Sequence, residues 1–506
     1  MTENLTRSTF SGLKWTYGAT AASVLLQVGY TAVMGRLLTP ADFGLVAMAL
    51  VFLRFGNHFA QMGLGPALIQ KESLSDRDVR IGFTSSLLLG TGFAAVLVLV
   101  APLAEQLFAD PDVVPVTRAL ALSFVLNGAG LTALSLLRRR LRFRALAMVN
   151  VASYAAGYLV VGVTLALMGA GVWSLVGAAL VQTLLEALFA YTAVRHSVRP
   201  LFAVREARAL FGFGSRVSVI GFLEFLASNL DVLVIGRVAG QTALGQYNRA
   251  SLLVNLPLQH LGTGLSRVLF PAFSRIQAET KRLRRGYLGA MQLSSALILP
   301  LTAGMAVAAP ELVRVVLGPQ WSPAARVLPL LALAAALGFL THYAGVTCEA
   351  VAALNQKLAL QAISLVLLAA LLFIAAEGGL VALAGAVAAS QLVRHTLYAV
   401  LMTRILHLRA VDHWLVYGRS LLSGVIVAGA ILGVSVLGRE AQLVTGTIFA
   451  MQVTSGATLL ALLLWWGPLA GARHELVDLV TRAGLLPADP KRRSVALLRR
   501  VLVLGR

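Results

Sequence analysis

The chain has 506 residues, of which 58% are hydrophobic and only 12% charged, and its formal net charge is +21. About a quarter of the residues of an ordinary soluble domain are charged, so that class is excluded. The Lys and Arg excess sits in short runs between apolar stretches, which argues for membrane orientation signals and against nucleic-acid binding.

About fourteen apolar stretches follow one another, each able to supply a membrane helix, which needs about 20 residues. In chain order the expected spans are 13–34, 43–69, 79–104, 113–137, 145–168, 171–194, 209–235, 246–270, 287–309, 324–347, 358–376, 380–403, 414–437 and 441–466. The first is too long for a signal-peptide core and reads as a retained helix. Starting inside, the cytoplasmic segments are Lys71/Arg77/Arg80, the Arg138–Arg144 run, the Arg195–Arg208 and Arg275–Arg285 loops, Lys357, Arg404/Arg409 and everything after Gly467. With the N-terminus they hold about 30 of the 42 Lys and Arg, against about six in the outside loops, as the positive-inside rule requires. Both termini are therefore expected in the cytoplasm.

The longest outside loop is Pro310–Pro323, so no outer catalytic domain is expected. The tail carries Lys491, Arg492, Arg493, Arg499 and Arg500 and reads either as a basic amphipathic helix on the anionic inner leaflet or as a disordered segment. Cys348 is the single cysteine, which excludes an intramolecular disulfide and a Cys-rich metal site.

The chain repeats. Gly35-Arg36 and Phe43-Gly44 recur as Gly236-Arg237 and Leu244-Gly245 at the same spacing, with Phe10/Phe211, Val33/Val234 and Gly63-Leu64/Gly264-Leu265 in register. A slightly larger shift aligns Ala101-Pro102 and Pro111 with Ala309-Pro310 and Pro319, and Gly171 with Gly379. Spans 1–6 (1–208) and 7–12 (209–410) thus read as two parallel six-helix lobes around a central cavity. Spans 13–14 (411–466) form an extra pair, followed by a basic cytoplasmic tail (467–506). The fold class is an all-α polytopic membrane protein.

Ionisable and amide groups inside spans are costly and normally face a cavity or a partner. Arg54, Asn57, His58 and Gln61 share one face of span 2, by their i, i+3, i+4, i+7 spacing. Span 7 presents Glu224, Ser228 and Asp231, and span 8 presents Asn248, Ser251, Asn255, Gln259, Gly262 and Ser266. Span 1 adds Lys14, Thr20, Gln27 and Thr31. Two equivalent helix pairs facing each other would enclose a polar cavity. The plainer alternatives stay open: Lys14 and Arg216 can snorkel to the inner headgroups, and the span 8 amides can simply join helices. Arg54 and Glu224 sit near the middle of their spans, and the expectation is that they lie close. Asp110-Pro111-Asp112 reads as a capping turn rather than a metal–diphosphate motif. Gly429 and Gly433 have the spacing of a close helix contact. There is no nucleophile–base arrangement, no phosphate-binding glycine loop and no clustered His ligands, so neither enzyme chemistry nor a cofactor is expected.

The stretch Gly35-Arg36-Leu37-Leu38-Thr39-Pro40-Ala41-Asp42-Phe43-Gly44 resembles the loop after the first helix of Wzx-type polysaccharide flippases. Gly63–Gln70, Gly171–Val176, Asn229-Leu230-Asp231, Leu244–Tyr247 and Phe270–Ser274 follow in the same order. The pattern is similar to the polysaccharide-transporter branch of the multidrug/oligosaccharidyl-lipid/polysaccharide superfamily. That resemblance implies fourteen helices and a place in the bacterial cytoplasmic (inner) membrane. It also implies transfer of undecaprenyl-diphosphate-linked oligosaccharide to the periplasmic leaflet for lipopolysaccharide or exopolysaccharide biosynthesis, often ion-driven. Polysaccharide polymerase and chain-length machinery are candidate partners alongside membrane lipids. Such a cargo asks for cations toward its diphosphate, for which Lys14, Arg54, Arg216 and Arg267 are candidates. Asn57, His58, Asn255 and Gln259 suit its sugars. Glu224 and Asp231 are the candidate ion-coupling carboxylates. A multidrug or organic-cation antiporter and a peptidoglycan-precursor flippase are the competing readings.

Overall fold

The computed structural model describes residues 2–60, 64–201 and 218–465, and all regular structure there is helical. A chain in hydrocarbon must satisfy every backbone group internally, and helices do so within one segment. The first unit carries α1 (Thr2–Leu37), α2 (Pro40–Ala60), α3 (Leu64–Gln70), α4 (Asp76–Val100), α5 (Pro102–Phe108), α6 (Val113–Arg139), α7 (Phe143–Leu167) and α8 (Val172–Val194). Then come α9 (Ser218–Arg275), α10 (Thr280–Val307), α11 (Ala309–Val316), α12 (Ser322–Ala350), α13 (Leu354–Ile374), α14 (Gly379–Ile405), α15 (Ala410–Glu440) and α16 (Thr445–Trp465). Among the described residues, 10 helices are long and apolar enough to cross a membrane. Expected spans 3–6 and 9–14 fall on these ten helices.

The breaks have local causes. Pro102, at the start of α5, cannot donate to the helix before it. The described part of expected span 7 (from Ser218) and expected span 8 lie in α9, which is broken at Gly240 (φ 76, ψ 178), a conformation that costs glycine little. Residues 155–162 of α7 form a π-helical stretch, and a Cβ at Gly157 would run into the backbone of Gln182 on α8. Asp110 accepts from the backbone N–H of Asp112 at 3.1 Å, the turn expected there.

The basic residues between the helices also make specific contacts. Arg139 donates to the carbonyls of Leu68, Ile69 and Glu72 at the end of α3, and Arg142 to that of Ala193 at the end of α8. These carbonyls have no partner within their own helix, so cations there satisfy them and complement the helix dipole.

The chain divides into two compact units: Met1–Asn248 with Val316–Gln320, and Arg249–Val315 with Trp321–Arg506. In the first, α4 and α6 cross at glycines, where a Cβ on Gly90 would strike the Phe124 carbonyl and one on Gly128 the Ser86 carbonyl. A second reciprocal crossing joins the repeats. A Cβ on Gly44 would strike the carbonyl of Gln241, and one on Gly245 the carbonyl of Pro40. Pro40 and Gln241 are related by the same register shift as the two glycines. Gly35 likewise backs onto Leu317, and Gly236 onto Phe108.

The second unit is built on a core that includes Tyr287, Tyr343, Tyr398, Met402 and Leu406. The terminal pair joins it through Ala296, Val427, Ile431 and Leu463. The close helix contact expected at Gly429 and Gly433 is not found, since open space lies beside both. The contacts come instead from Gly438, against Ile448, and Gly456, against Ile431, because the packed face of α15 carries Val427, Ile431 and Ser435, on the other side of the helix from Gly429. Glu311 is buried and receives Arg439 Nε at 3.0 Å and Ser435 Oγ at 2.8 Å.

Candidate functional site

The first unit contains a polar site where α2 meets α9. Arg54 Nη1 donates to Asn229 Oδ1 at 3.2 Å, and Asn229 is fixed in turn by its Nδ2, which donates to the Phe225 carbonyl at 2.8 Å. Phe55 packs edge-to-face on Phe225 at 5.4 Å and sets the distance between the helices. Two residues on from Asn229, Asp231 Oδ2 accepts the Tyr247 hydroxyl at 2.5 Å, and Oδ1 accepts the Val232 N–H at 2.9 Å. The Arg54 guanidinium lies near enough to Asp231 to interact with it electrostatically. Asn229 and Tyr247 are buried, whereas Arg54 is exposed.

Among the described residues, one of the five Arg54 guanidinium N–H groups donates to a neutral amide, and Asp231 is engaged by a phenol and a main-chain N–H. Arg54 is thus positioned by an amide rather than a carboxylate among the described residues, which suits a phosphate or carboxylate oxyanion.

The other expected residues fall as follows. In the second unit, Asn255 is half-buried, and its Nδ2 donates to Ser251 O and Oγ at 2.9 and 3.0 Å. Both contacts lie one turn back on its own helix, so the carbonyl oxygen keeps its acceptor capacity. Gln259 is exposed. Lys14, Asn57, His58, Glu224 and Arg267 stand on described helices, but their side chains lie outside the described residues, and Arg216 lies outside them altogether. The closeness expected of Arg54 and Glu224 therefore falls outside them too. The tail 467–506 also lies outside the described residues.

Sequence reasoning gave no role to Asn229 or Tyr247. Both stand in stretches that carry the family resemblance, Asn229-Leu230-Asp231 and Leu244–Tyr247, but spacing alone gave neither a partner.

Residues 33–326 match a protein family described as Polysaccharide biosynthesis protein. The lipopolysaccharide biosynthesis protein WzxC of Escherichia coli (strain K12) is 26% identical over 345 residues, covering 67% of this chain and 68% of that protein. The succinoglycan biosynthesis transport protein ExoT of Rhizobium meliloti (strain 1021) is 30% identical over 303 residues, 60% of this chain and 61% of that one. Among solved structures, the lipid II flippase MurJ in an inward closed conformation aligns with a TM-score of 0.67 at 12% identity, covering 92% of this chain and 100% of its own. An inward-facing multidrug resistance MATE transporter aligns with a TM-score of 0.53 at 16% identity, over 78% of this chain and 96% of its own. At these identities the two structures speak to fold alone.

Proposed function

The chain belongs to the polysaccharide biosynthesis protein family, and from that premise we propose that this multi-pass membrane protein is a flippase for lipid-linked oligosaccharide. It takes undecaprenyl-diphosphate-linked repeat units from the cytoplasmic to the periplasmic leaflet of the bacterial cytoplasmic membrane. The cycle is alternating access by the two repeats, 1–208 and 209–410. The pair 411–466 supports them, and the tail 467–506 and both termini stay cytoplasmic. Periplasmic polymerase and chain-length machinery would receive the product.

The observation that carries this reading is the placement of Arg54. A mid-membrane guanidinium held by an amide and left exposed is matched to a diphosphate, whose oxygens accept its paired donors. Lys14, Arg216 and Arg267 supply further charge, and Asn57, His58, Asn255 and Gln259 supply hydrogen bonds for sugars. When the diphosphate takes Arg54, the carboxylates of Asp231 and Glu224 lose that cation, and a proton can replace it there. An organic-cation antiporter would instead offer its carboxylate to the guest, whereas Asp231 is turned toward Tyr247.

The test uses the full chain in proteoliposomes with undecaprenyl-diphosphate-linked oligosaccharide or peptidoglycan precursor, scored by access of a membrane-impermeant lectin. Oligosaccharide should cross and Arg54→Ala should not support crossing, with equal protein in the bilayer. Normal crossing by Arg54→Ala would remove the diphosphate assignment, and crossing of the peptidoglycan precursor alone would favour that cargo.

A further inference from the structure

The second unit holds a buried polar cluster that the proposed cargo site does not use. His395 lies on α14, Thr341 on α12, and His413 and Tyr417 on α15. Thr341 Oγ1 lies 2.7 Å from the Leu337 carbonyl, which can only accept, so the hydroxyl hydrogen goes there. His395 Nδ1 lies 3.0 Å from the same oxygen. With its hydrogen spent, that oxygen acts as acceptor, and Nδ1 carries the imidazole hydrogen. The neutral ring then keeps its lone pair on Nε2, and Nε2 is where a proton would bind.

The His395 ring stands edge-on to Tyr417 at 5.6 Å, and Tyr417 stacks on His413 at 6.2 Å. Among the described residues, the Tyr417 hydroxyl, His413 Nε2 and Gln391 Oε1 are buried without a hydrogen-bond partner. Gln391 precedes His395 by one turn of α14. A buried polar atom left unpaired costs about 1–3 kcal/mol, so unpaired atoms in the cluster around His395 favour a polar occupant such as a proton with its attendant water.

The charged surroundings support this. From α10, Arg284 is tied to Asp412 at 2.6 Å, and Asp412 also accepts the Arg409 N–H. Near the end of α12, Glu349 pairs with Lys357 at 2.6 Å. Arg394 lies over Tyr398 on α14, α12 adds His342 and Tyr343, and α10 adds Tyr287. The carboxylates here already have cations, so a proton on His395 arrives without a counterion and is readily given up. A carrier's proton site must release as well as bind.

We propose that His395 is a proton-binding site of the transport cycle, separate from Asp231 and Glu224, and that Tyr417 and His413 connect it to the end of α15 expected in the cytoplasm. This rests on the flippase reading for its role in transport, and the binding step can be tested without it. In detergent, the full-length chain is titrated in weak buffer with a pH indicator, alongside His395→Gln, Tyr417→Phe and Thr341→Val. His395→Gln keeps a donor toward Thr341 and should lose one titrating proton. Thr341→Val releases Nδ1 and should shift that step rather than remove it. In proteoliposomes His395→Gln and Tyr417→Phe should lose the stimulation of oligosaccharide crossing by a pH gradient while keeping gradient-free crossing. An unchanged titration together with full gradient stimulation in His395→Gln would overturn the proposal. If the wild type moves no oligosaccharide yet the titration step belongs to His395, the flippase reading fails and the proton site stands.

Discussion

Tyr247 holds Asp231 across the break in α9. Its hydroxyl reaches Oδ2 at 2.5 Å from beyond Gly240, where the chain turns back. The phenol thereby keeps the carboxylate from pairing outright with Arg54. Tyr247→Phe should cost about 1–3 kcal/mol, the penalty of a buried acceptor left short of a donor. It should also slow crossing, because Arg54 would be drawn onto the freed carboxylate. Thermal unfolding and crossing measured together check this. Unchanged crossing would mean that Asp231 does not compete for Arg54.

The reciprocal crossing at Gly44 and Gly245 makes a sharper demand. A methyl group at either position meets a backbone carbonyl that cannot rotate away. Gly44→Ala and Gly245→Ala should each destabilise by roughly 1–3 kcal/mol, the usual range for overpacking. The double variant should cost less than the sum, since both open the same contact. Gly429→Ala, with open space beside it, serves as the control and should be neutral within about 0.5 kcal/mol. Equal effects at Gly44 and Gly429 would mean that the crossing is not tight.

Much of this was legible in the chain. Span positions follow from apolar length, and the end of α4 from Pro102. The repeat was visible in Gly35/Gly236 and Gly44/Gly245, and the contacts of Gly44 and Gly245 obey the same shift. What periodicity could not give is the partner across a crossing. Arg54 and Asn229 are 175 residues apart, and Glu311 and Arg439 are 128 apart. A helical phase says which face a residue occupies, while its neighbour depends on how two helices cross. Arg439 follows the apolar stretch 414–437, and nothing in its phase showed that it grips a buried carboxylate. The π-helical stretch of α7 was hidden for a similar reason, since Gly157 reveals its purpose only against Gln182.

Glu311 gives a pH prediction. Burial pushes its carboxyl up, but the hydrogen bonds from Arg439 and Ser435 outweigh burial and hold it below the ordinary value of 4.5. A carboxyl with a depressed folded value binds fewer protons folded than unfolded. Its stabilisation is then fully present above 4.5 and is lost as pH falls through the folded value. The wild type should therefore lose an acid-sensitive increment of melting temperature that Glu311→Gln lacks, measured between about pH 3 and pH 7. Arg439→Gln should be worse than Glu311→Gln, because it strands a buried charge. Parallel pH curves for wild type and Glu311→Gln would show that the Arg439 contact does not persist in solution.

Glu224 and Asp231 stand two turns apart on α9, the spacing that puts both on one face. If the diphosphate draws Arg54 away from these acids, one of them takes a proton in its place. Glu224→Gln should then leave cargo binding intact or tighter, because the cation has one competitor fewer, while gradient-driven crossing falls. Asp231→Asn should do the same to coupling but also lower the melting temperature, since the bond from Tyr247 loses its charged acceptor. Binding is read by quenching of a fluorescent undecaprenyl diphosphate and coupling by the response of crossing to an imposed pH gradient. Undiminished, gradient-sensitive crossing in Glu224→Gln would pass the role to Asp231. The same result in both variants would place coupling outside α9 and leave His395 as the group that carries it.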